Sequence, residues 1–571
     1  MKHDFQSLAE VFSYATGKYA KRPAYGIVGQ EDGRYNYAEF KEVCRRISRL
    51  LSNFGINPND KVAIFSQNMP NWAVAFFSIT AFGRIAVPML TELSENEIRN
   101  ILTHSGTKAL FVSKKLFSKV PADLIEKLHI VIATDDLSIL KAEDAAYTCD
   151  GRIKTPLSDD LACLIYTSGT TGAAKGVMLT HRNFCANILA SWKAQPVHRH
   201  DVFLSILPLA HTYEMSVGML YAFSVGAMTW YLSKAPTPTV LLPAFKKLRP
   251  TIMLSVPLVI EKIYRSSIVP TIEKSRFLKG LQKSFPSLLY WLVGMKLKGT
   301  FGGRIKFFGI GGAKLDEEVE RFLAKAGFPY AIGYGMTEVA PLICNASPFK
   351  THIGTTGIHA WALQVRLDNV NPATGEGEIV VKGDAVMMGY YKDYHRTRQV
   401  LSDDGWFHTG DLATVDKRGR YSIKGRLGSV IIGSSGENIY PEEIESVINN
   451  ISGVNESLVV EKNGRLVALV HFDDNVLDWN YDDEDKFLEE LEKRKKDILD
   501  FVNAHVNRNS HIKEVQVEKE PFIKTATMKI RRFLYKDGGS AQTDRKKSEP
   551  PTQQKDGAQA QQKDEDAAEN K

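Results

Sequence analysis

Short runs of β-branched and apolar residues, each followed by a stretch with helical spacing, recur along the first 400 or so residues of the chain. KVAIFSQ (61–67) leads into an apolar helical pattern near Asn71, and KALFVS (108–113), HIVIAT (129–134) and TIMLSV (251–256) repeat the theme. Runs without polar alternation need cover on both faces, so they predict βα units around largely parallel, buried sheets. From about Gly375 the pattern changes. GEIVVKG, GRYSIKG and SVIIG are short strands between polar turns, and SLVVE, RLVALVHF and a helical stretch from Asp482 to Val506 follow them. The expected fold class is therefore α/β, with a large N-terminal domain of βα sheets and a small β-subdomain over 1–425. A smaller α+β C-terminal domain is expected over 426–536, joined near Gly425-Arg426. Residues 537–571 are almost free of large apolar side chains. They bury too little surface to offset chain entropy, which predicts a disordered polar tail.

One stretch, Ser216 to Ser233, runs 18 residues without a charge. Its length alone suits a membrane span, but its serines and glycines fit a buried helix, a turn at Gly226 and a buried strand, AMTWYL, better. The N-terminus, MKHDFQSLAEVF, lacks the apolar core of an export signal. Composition agrees with an ordinary globular chain: 43% hydrophobic, 24% charged and 10% aromatic over 571 residues, long enough for at least two domains. The net charge of +7 suits anionic ligands and is too small to argue for nucleic acid. Five scattered cysteines, Cys44, Cys149, Cys163, Cys185 and Cys344, form no metal-ligand spacing and no disulfide framework. A reducing, cytoplasmic compartment is the expectation.

The strongest local signal is YTSGTTGAAKGV, beginning at Tyr166. An apolar strand, LACLIY (161–166), runs into Thr167, Ser168, Gly169, Thr170, Thr171 and Gly172, and then reaches Lys175. Glycines let a backbone approach an anion closely, while successive N–H groups and hydroxyls can surround phosphate oxygens. A lysine adds a point charge for the outer phosphates. The spacing is not that of a Walker A loop, which needs GxxxxGK[ST].

This loop resembles the phosphate-binding loop of the adenylate-forming superfamily, which includes acyl-CoA synthetases, firefly luciferase and peptide-synthetase adenylation domains. Six further segments resemble that superfamily's motifs in the same order. LPLAHTYE (207–214) is similar to the segment carrying a gate beside the acyl site, which implies that role for His211. GIGGAKLDEEV (309–319) is similar to the adenine-contacting strand and turn, with Gly311, Gly312 and Ala313. YGMTE (334–338), with Gly333 before it and Gly335 within it, implies that Tyr334 stacks on adenine, Thr337 contacts phosphate and Glu338 helps hold magnesium. Thr170 is implied as a second magnesium contact. GWFHTGD (405–411) implies Asp411 for the ribose hydroxyls. KGRLGSVIIGSSGENIYPEEIE (424–445) resembles the hinge and the loop beside the CoA channel, with Arg426 and Gly436. KTATMKIRRF (524–533) implies that Lys529 is the adenylation lysine.

The resemblance, over roughly residues 10–536, implies ATP, Mg²⁺ and CoA as cofactor and co-substrates. It implies two half-reactions: acyl-AMP formation with Lys529 in place, then rotation of the small domain and thiol attack. Both reactants of the first step are anionic, so positioning and charge neutralisation must carry it. Two positions depart from the pattern. Gly428 stands where the hinge usually has Asp or Lys, and Met528 stands where glycine usually precedes the lysine. The expected acid is a long-chain fatty acid, on the strength of LPLAHTYE, the Trp406-Phe407-His408 stretch and the apolar run 215–232. PSLLYWLVGMKLKG (286–299) suits peripheral contact with the inner face of a membrane, and equally a buried helix with a basic end. Two other functions stay open from the sequence: loading of a carrier-protein thiol, and nucleotide binding without catalysis.

Overall fold

The computed structural model describes residues 4–30, 34–144, 154–168, 174–433, 438–473, 476–477, 479, 484–525 and 529–535. Gly169 to Gly172, Gly436, Met528 and the tail 537–571 lie outside the described residues, and Ser168 is described by its backbone alone.

Two large sheets organise the first 426 residues. An eight-stranded sheet has a parallel centre of Lys61–Phe65, Ile85–Met89, Ala109–Val112 and Ile130–Ala133, joined by Leu161–Ser168. A nine-stranded sheet carries the parallel strands Val202–Ser205, Met228–Tyr231, Ile252–Ser255, Phe307–Ile310 and Tyr330–Gly335. The predicted apolar runs are these strands, and their inner residues are buried. The helix Pro70–Thr80 is buried on nearly every side because it lies between the sheets, touching strands of both. That position explains why its sequence, PNWAVAFFSIT, shows no polar stripe. The uncharged stretch after Ser216 forms part of the π-helix Glu214–Tyr221, the short helix Ala222–Ser224, a left-handed turn at Gly226 and the strand Met228–Tyr231. Among the described residues no helix is long and apolar enough to cross a membrane.

A four-stranded antiparallel sheet follows, in the order Leu363–Asp368, Gly377–Gly383, Phe407–Val415 and Tyr421–Arg426. Beyond Arg426 the chain builds a separate three-stranded sheet, Val454–Lys462, Arg465–Phe472 and Glu514–Val517, covered by the helices Pro441–Ile448 and Glu484–His505. Its own core includes Ile444, Ile448, Val459, Ala468, Val470, Ile498 and Val502.

This small unit is docked on the large one by polar contacts. Arg265 donates to the Asn449 carbonyl at 2.6 Å and to the Asn450 side chain, which in turn donates to Asp316. Arg531 donates to Glu97 Oε1 at 3.0 Å. Glu97 closes a capping box on the helix Glu95–Ser105, where its other oxygen accepts from the Ser94 backbone at 2.9 Å. Tyr440 donates to Glu376 at 2.8 Å.

Candidate active site

The site forms where the strands Phe307–Ile310 and Tyr330–Gly335 end, in the crevice that α/β sheets leave at strand carboxyl ends. The hairpin of Leu161–Ser168 and Ala174–Thr180 flanks it, with Thr167 paired opposite Lys175. Lys175 is half-buried, and its ammonium lies 5.2 Å from the centre of the Tyr390 ring, a cation–π arrangement. Burial pulls the Lys175 pKa below the usual lysine value, and the nearby Glu338 carboxylate partly opposes that shift.

Glu338 sits in the tight turn Thr337–Val339 and is buried. Tyr390 donates its hydroxyl to Glu338 Oε1 at 3.0 Å, and the Met387 N–H donates to the Glu338 carbonyl at 2.8 Å. Tyr390 therefore contacts both Lys175 and Glu338. It owes its place to the strand Gly389–Tyr390, which pairs with Met178 and Val177 of the hairpin. No sequence motif marks it.

Asp411, only 6% exposed, anchors the other end. Tyr334 donates to its Oδ2 at 2.7 Å, and Arg426 approaches its Oδ1 at 3.2 Å across the strand pair that sets Asp411 opposite Arg426. Each carboxylate oxygen has a second lone pair, so two further hydroxyls can still be accepted. Between the ends the backbone runs close to itself. A Cβ on Gly335 would lie 2.0 Å from the Pro341 carbonyl oxygen, which leaves glycine alone at that position. Gly312 adopts φ 89°, the left-handed region, beside Gly311 and Ala313.

Lys529 reaches this cluster from the small domain. Thr525 donates its N–H to the Lys529 carbonyl at 2.8 Å, and the Lys529 N–H returns to Thr525 Oγ1 at 3.2 Å. The residue is exposed to solvent, although nearby protein partly desolvates its ammonium. This surrounding protein lowers its pKa, Arg426 lowers it further, and Asp411 and Glu338 oppose both. Lys529 also acts on His211, whose pKa is pushed down to about 4, first by burial and then by that ammonium. His211 is therefore neutral near pH 7, and its Nδ1 accepts from the Tyr213 N–H at 3.4 Å.

From the same segment, Tyr213 rather than His211 lines the neighbouring apolar cavity, whose walls include Val197, Phe203, Val217, Ile252 and Ile332. The Tyr213 ring fills the space beside Gly309 and Gly311, where added Cβ atoms would lie 2.6 and 3.3 Å from it. Tyr213 carries no motif of its own; the spacing of Gly309 and Gly311, at the end of the facing strand, is the sign of a ring packed there. Gly428, in the turn Leu427–Ser429, has open space where a Cβ would go. No group of three or more His, Cys, Asp or Glu that could hold a metal occurs among the described residues. A hard cation carried on nucleotide phosphates needs only one or two protein oxygens, and Glu338 Oε2 is not taken by Tyr390.

Two lysines, an arginine, a buried carboxylate pair and glycines pressed against backbone define a site for a phosphorylated nucleotide. The chain belongs to the AMP-binding enzyme family, whose profile matches residues 12–391. It is 29% identical to the peroxisomal long chain acyl-CoA synthetase 7 of Arabidopsis thaliana over 525 residues, which cover 83% of this chain and 74% of that protein. It is likewise 29% identical to fatty acyl-CoA synthetase A of Dictyostelium discoideum over 460 residues, covering 73% of this chain and 68% of that one. Among solved structures, ATP-bound MatB from Rhodopseudomonas palustris shares the fold. It superposes with a TM-score of 0.72 at 23% identity, over 92% of this chain and 98% of that one.

Proposed function

We propose that the chain is an AMP-forming acid–CoA ligase whose acid is a long-chain fatty acid. In the first step a carboxylate oxygen attacks the α-phosphorus of ATP, the bond to the bridging oxygen breaks, and pyrophosphate leaves. In the second, the thiol sulfur of CoA attacks the acyl carbon, AMP departs, and the thiol proton goes to solvent. Two anions must meet in the first step, so its barrier is electrostatic and is lowered by fixed cations. The observation that carries the reading is the charged crevice, with Asp411 held between Tyr334 and Arg426 and Glu338 held by Tyr390; Lys529, from the small domain, is the cation proposed to complete it. Lys175 supplies a second cation at the phosphate end, and Tyr390 holds Glu338 in place. Asp411 suits the ribose hydroxyls and Tyr334 the adenine face. Glu338, with Thr170, would hold Mg²⁺, which when bound offsets phosphate charge.

The acid's identity rests on softer support: the apolar cavity beside Gly309 and Gly333, one relative named for long-chain acids and another named for fatty acids. The cavity, about 40 Å³, is narrow, so a long tail requires wall side chains such as Tyr221 and Phe203 to rotate. Pyrophosphate release measured over acids of increasing chain length, with and without CoA, tests this directly. Turnover is expected to rise toward long chains and to need CoA for thioester product. A preference for short or aromatic acids would overturn the acid, and a requirement for a carrier protein would overturn CoA. Lys529→Ala is expected to reduce acyl-AMP formation at least a hundredfold, as removal of one charge-stabilising donor does. Thioester formation from supplied acyl-AMP should be largely kept. Equal loss of both steps would refute the role given to Lys529.

A further inference from the structure

The helices Arg276–Ser284 and Pro286–Thr300 present an apolar face that no described residue covers. Phe277 is 72% exposed, Phe285 65%, Trp291 55%, and Leu288 and Met295 are each 46% exposed. In the second helix Leu288, Trp291 and Met295 stand three and four residues apart, so they form one stripe. The opposite side of that helix is already satisfied. Leu289, Gly294 and Leu297 are buried, and Gly294 packs so close to the Ala326 carbonyl that a Cβ would lie 2.0 Å from it. The helix is therefore apolar on two sides and covered on one.

Charge decides what covers the other. From Lys274 to Thr300 the sequence holds Lys274, Arg276, Lys279, Lys283, Lys296 and Lys298, and no Asp or Glu. None of these six cations is in an ion pair with a described residue. A second copy of the chain would bring like charges together, whereas an anionic lipid surface offers apolar depth for the stripe and counter-charge for its rim.

We propose that this face docks the enzyme peripherally on an anionic membrane surface, with Phe285, Leu288, Trp291 and Met295 entering the headgroup boundary. The proposal goes beyond the ligase reading and does not depend on which acid is activated. The docking places the enzyme where apolar acids partition.

The test is co-sedimentation of the full chain with vesicles of phosphatidylcholine alone, or with about one third phosphatidylglycerol, at about 0.1 M salt. Wild type is expected to bind the anionic vesicles and to be released by high salt. Lys279→Ala with Lys283→Ala should weaken that partitioning about 30-fold. Trp291→Ser with Met295→Ser should abolish it, while unchanged adenylation of a water-soluble acid shows that the variants are folded. Absence of binding by wild type, or equal binding by all variants, would overturn the proposal. So would a wild-type dimer that Trp291→Ser dissociates without any vesicle binding, because a second copy would then be the occupant.

Discussion

Glu214 is a carboxyl group with nowhere to put a charge. It opens the π-helix Glu214–Tyr221, is 2% exposed, and its Oε2 has no hydrogen-bond partner among the described residues. Its carboxyl lies over Gly218, where a Cβ would come within 2.5 Å of Oε1. Ser205, itself receiving a hydrogen bond from Asn68 at 3.2 Å, is the one side chain that stabilises the ionised form, and burial outweighs it. Burial pushes the Glu214 pKa up to about 8 from an ordinary 4.5. With the folded pKa raised, the unfolded chain loses this proton first. The group is neutral to stability below about pH 4.5. Stability then falls by up to about 1.4 kcal/mol per pH unit, and the full penalty of about 5 kcal/mol stands above pH 8. Glu214→Gln removes the titration but leaves an extra amide hydrogen to satisfy, a loss of about 1–3 kcal/mol. The variant should therefore be less stable than wild type at pH 5 and more stable at pH 8.5. Denaturant unfolding of both proteins across that range measures the difference, in which every unrelated titration cancels. A difference that stays constant with pH would refute the reasoning, since Glu214 would then be ionised and paired in the fold.

Two further outcomes follow from the site's polar contacts. Tyr390→Phe keeps the ring over Lys175 but removes the donor to Glu338, which should slow acyl-AMP formation about tenfold with little change in thermal stability; an unchanged rate of pyrophosphate release would show that Glu338 needs no such support. Arg531→Ala removes the contact to Glu97 while leaving the Ser94 capping box whole, and a half-exposed pair of this kind contributes about 1 kcal/mol. Acyl-AMP formation should fall a few fold and thioester formation from supplied acyl-AMP should not, so parallel loss in both assays would contradict a docking role.

The parts of this protein that were legible in the sequence are those in which neighbours along the chain act together. The βα strands announced themselves because burial on both faces needs an unbroken apolar run, as in Val62 to Phe65. Lys175 stood out because a phosphate loop gathers glycines, hydroxyls and a charge within a few residues, whereas Glu338, Asp411 and Lys529 were marked only by the resemblance of their segments to the family's motifs. Tyr390 and Tyr213 carried no such mark. Tyr390 reaches Glu338 across 52 residues of chain, and Tyr213 acquires meaning only when the strand bearing Gly309 and Gly311 lies beneath its ring. The exposed stripe on Pro286–Thr300 was ambiguous for a related reason. Its sequence is apolar on both sides, and only the packing of Gly294 on Ala326 shows which side is spent. The same logic bears on the docking of the small domain. Of the cations gathered at the nucleotide site, Lys175 and Arg426 belong to the sheets that build it, while Lys529 arrives on a turn whose nearest latch, Arg531–Glu97, spans 434 residues. On the proposed chemistry, charge neutralisation for the first step is complete only while the small domain stays docked, to which that latch contributes along with the Arg265–Asn449 and Tyr440–Glu376 contacts. Its release then withdraws a cation from a site that no longer needs it, so the domain position and the stage of the reaction are coupled through one charge.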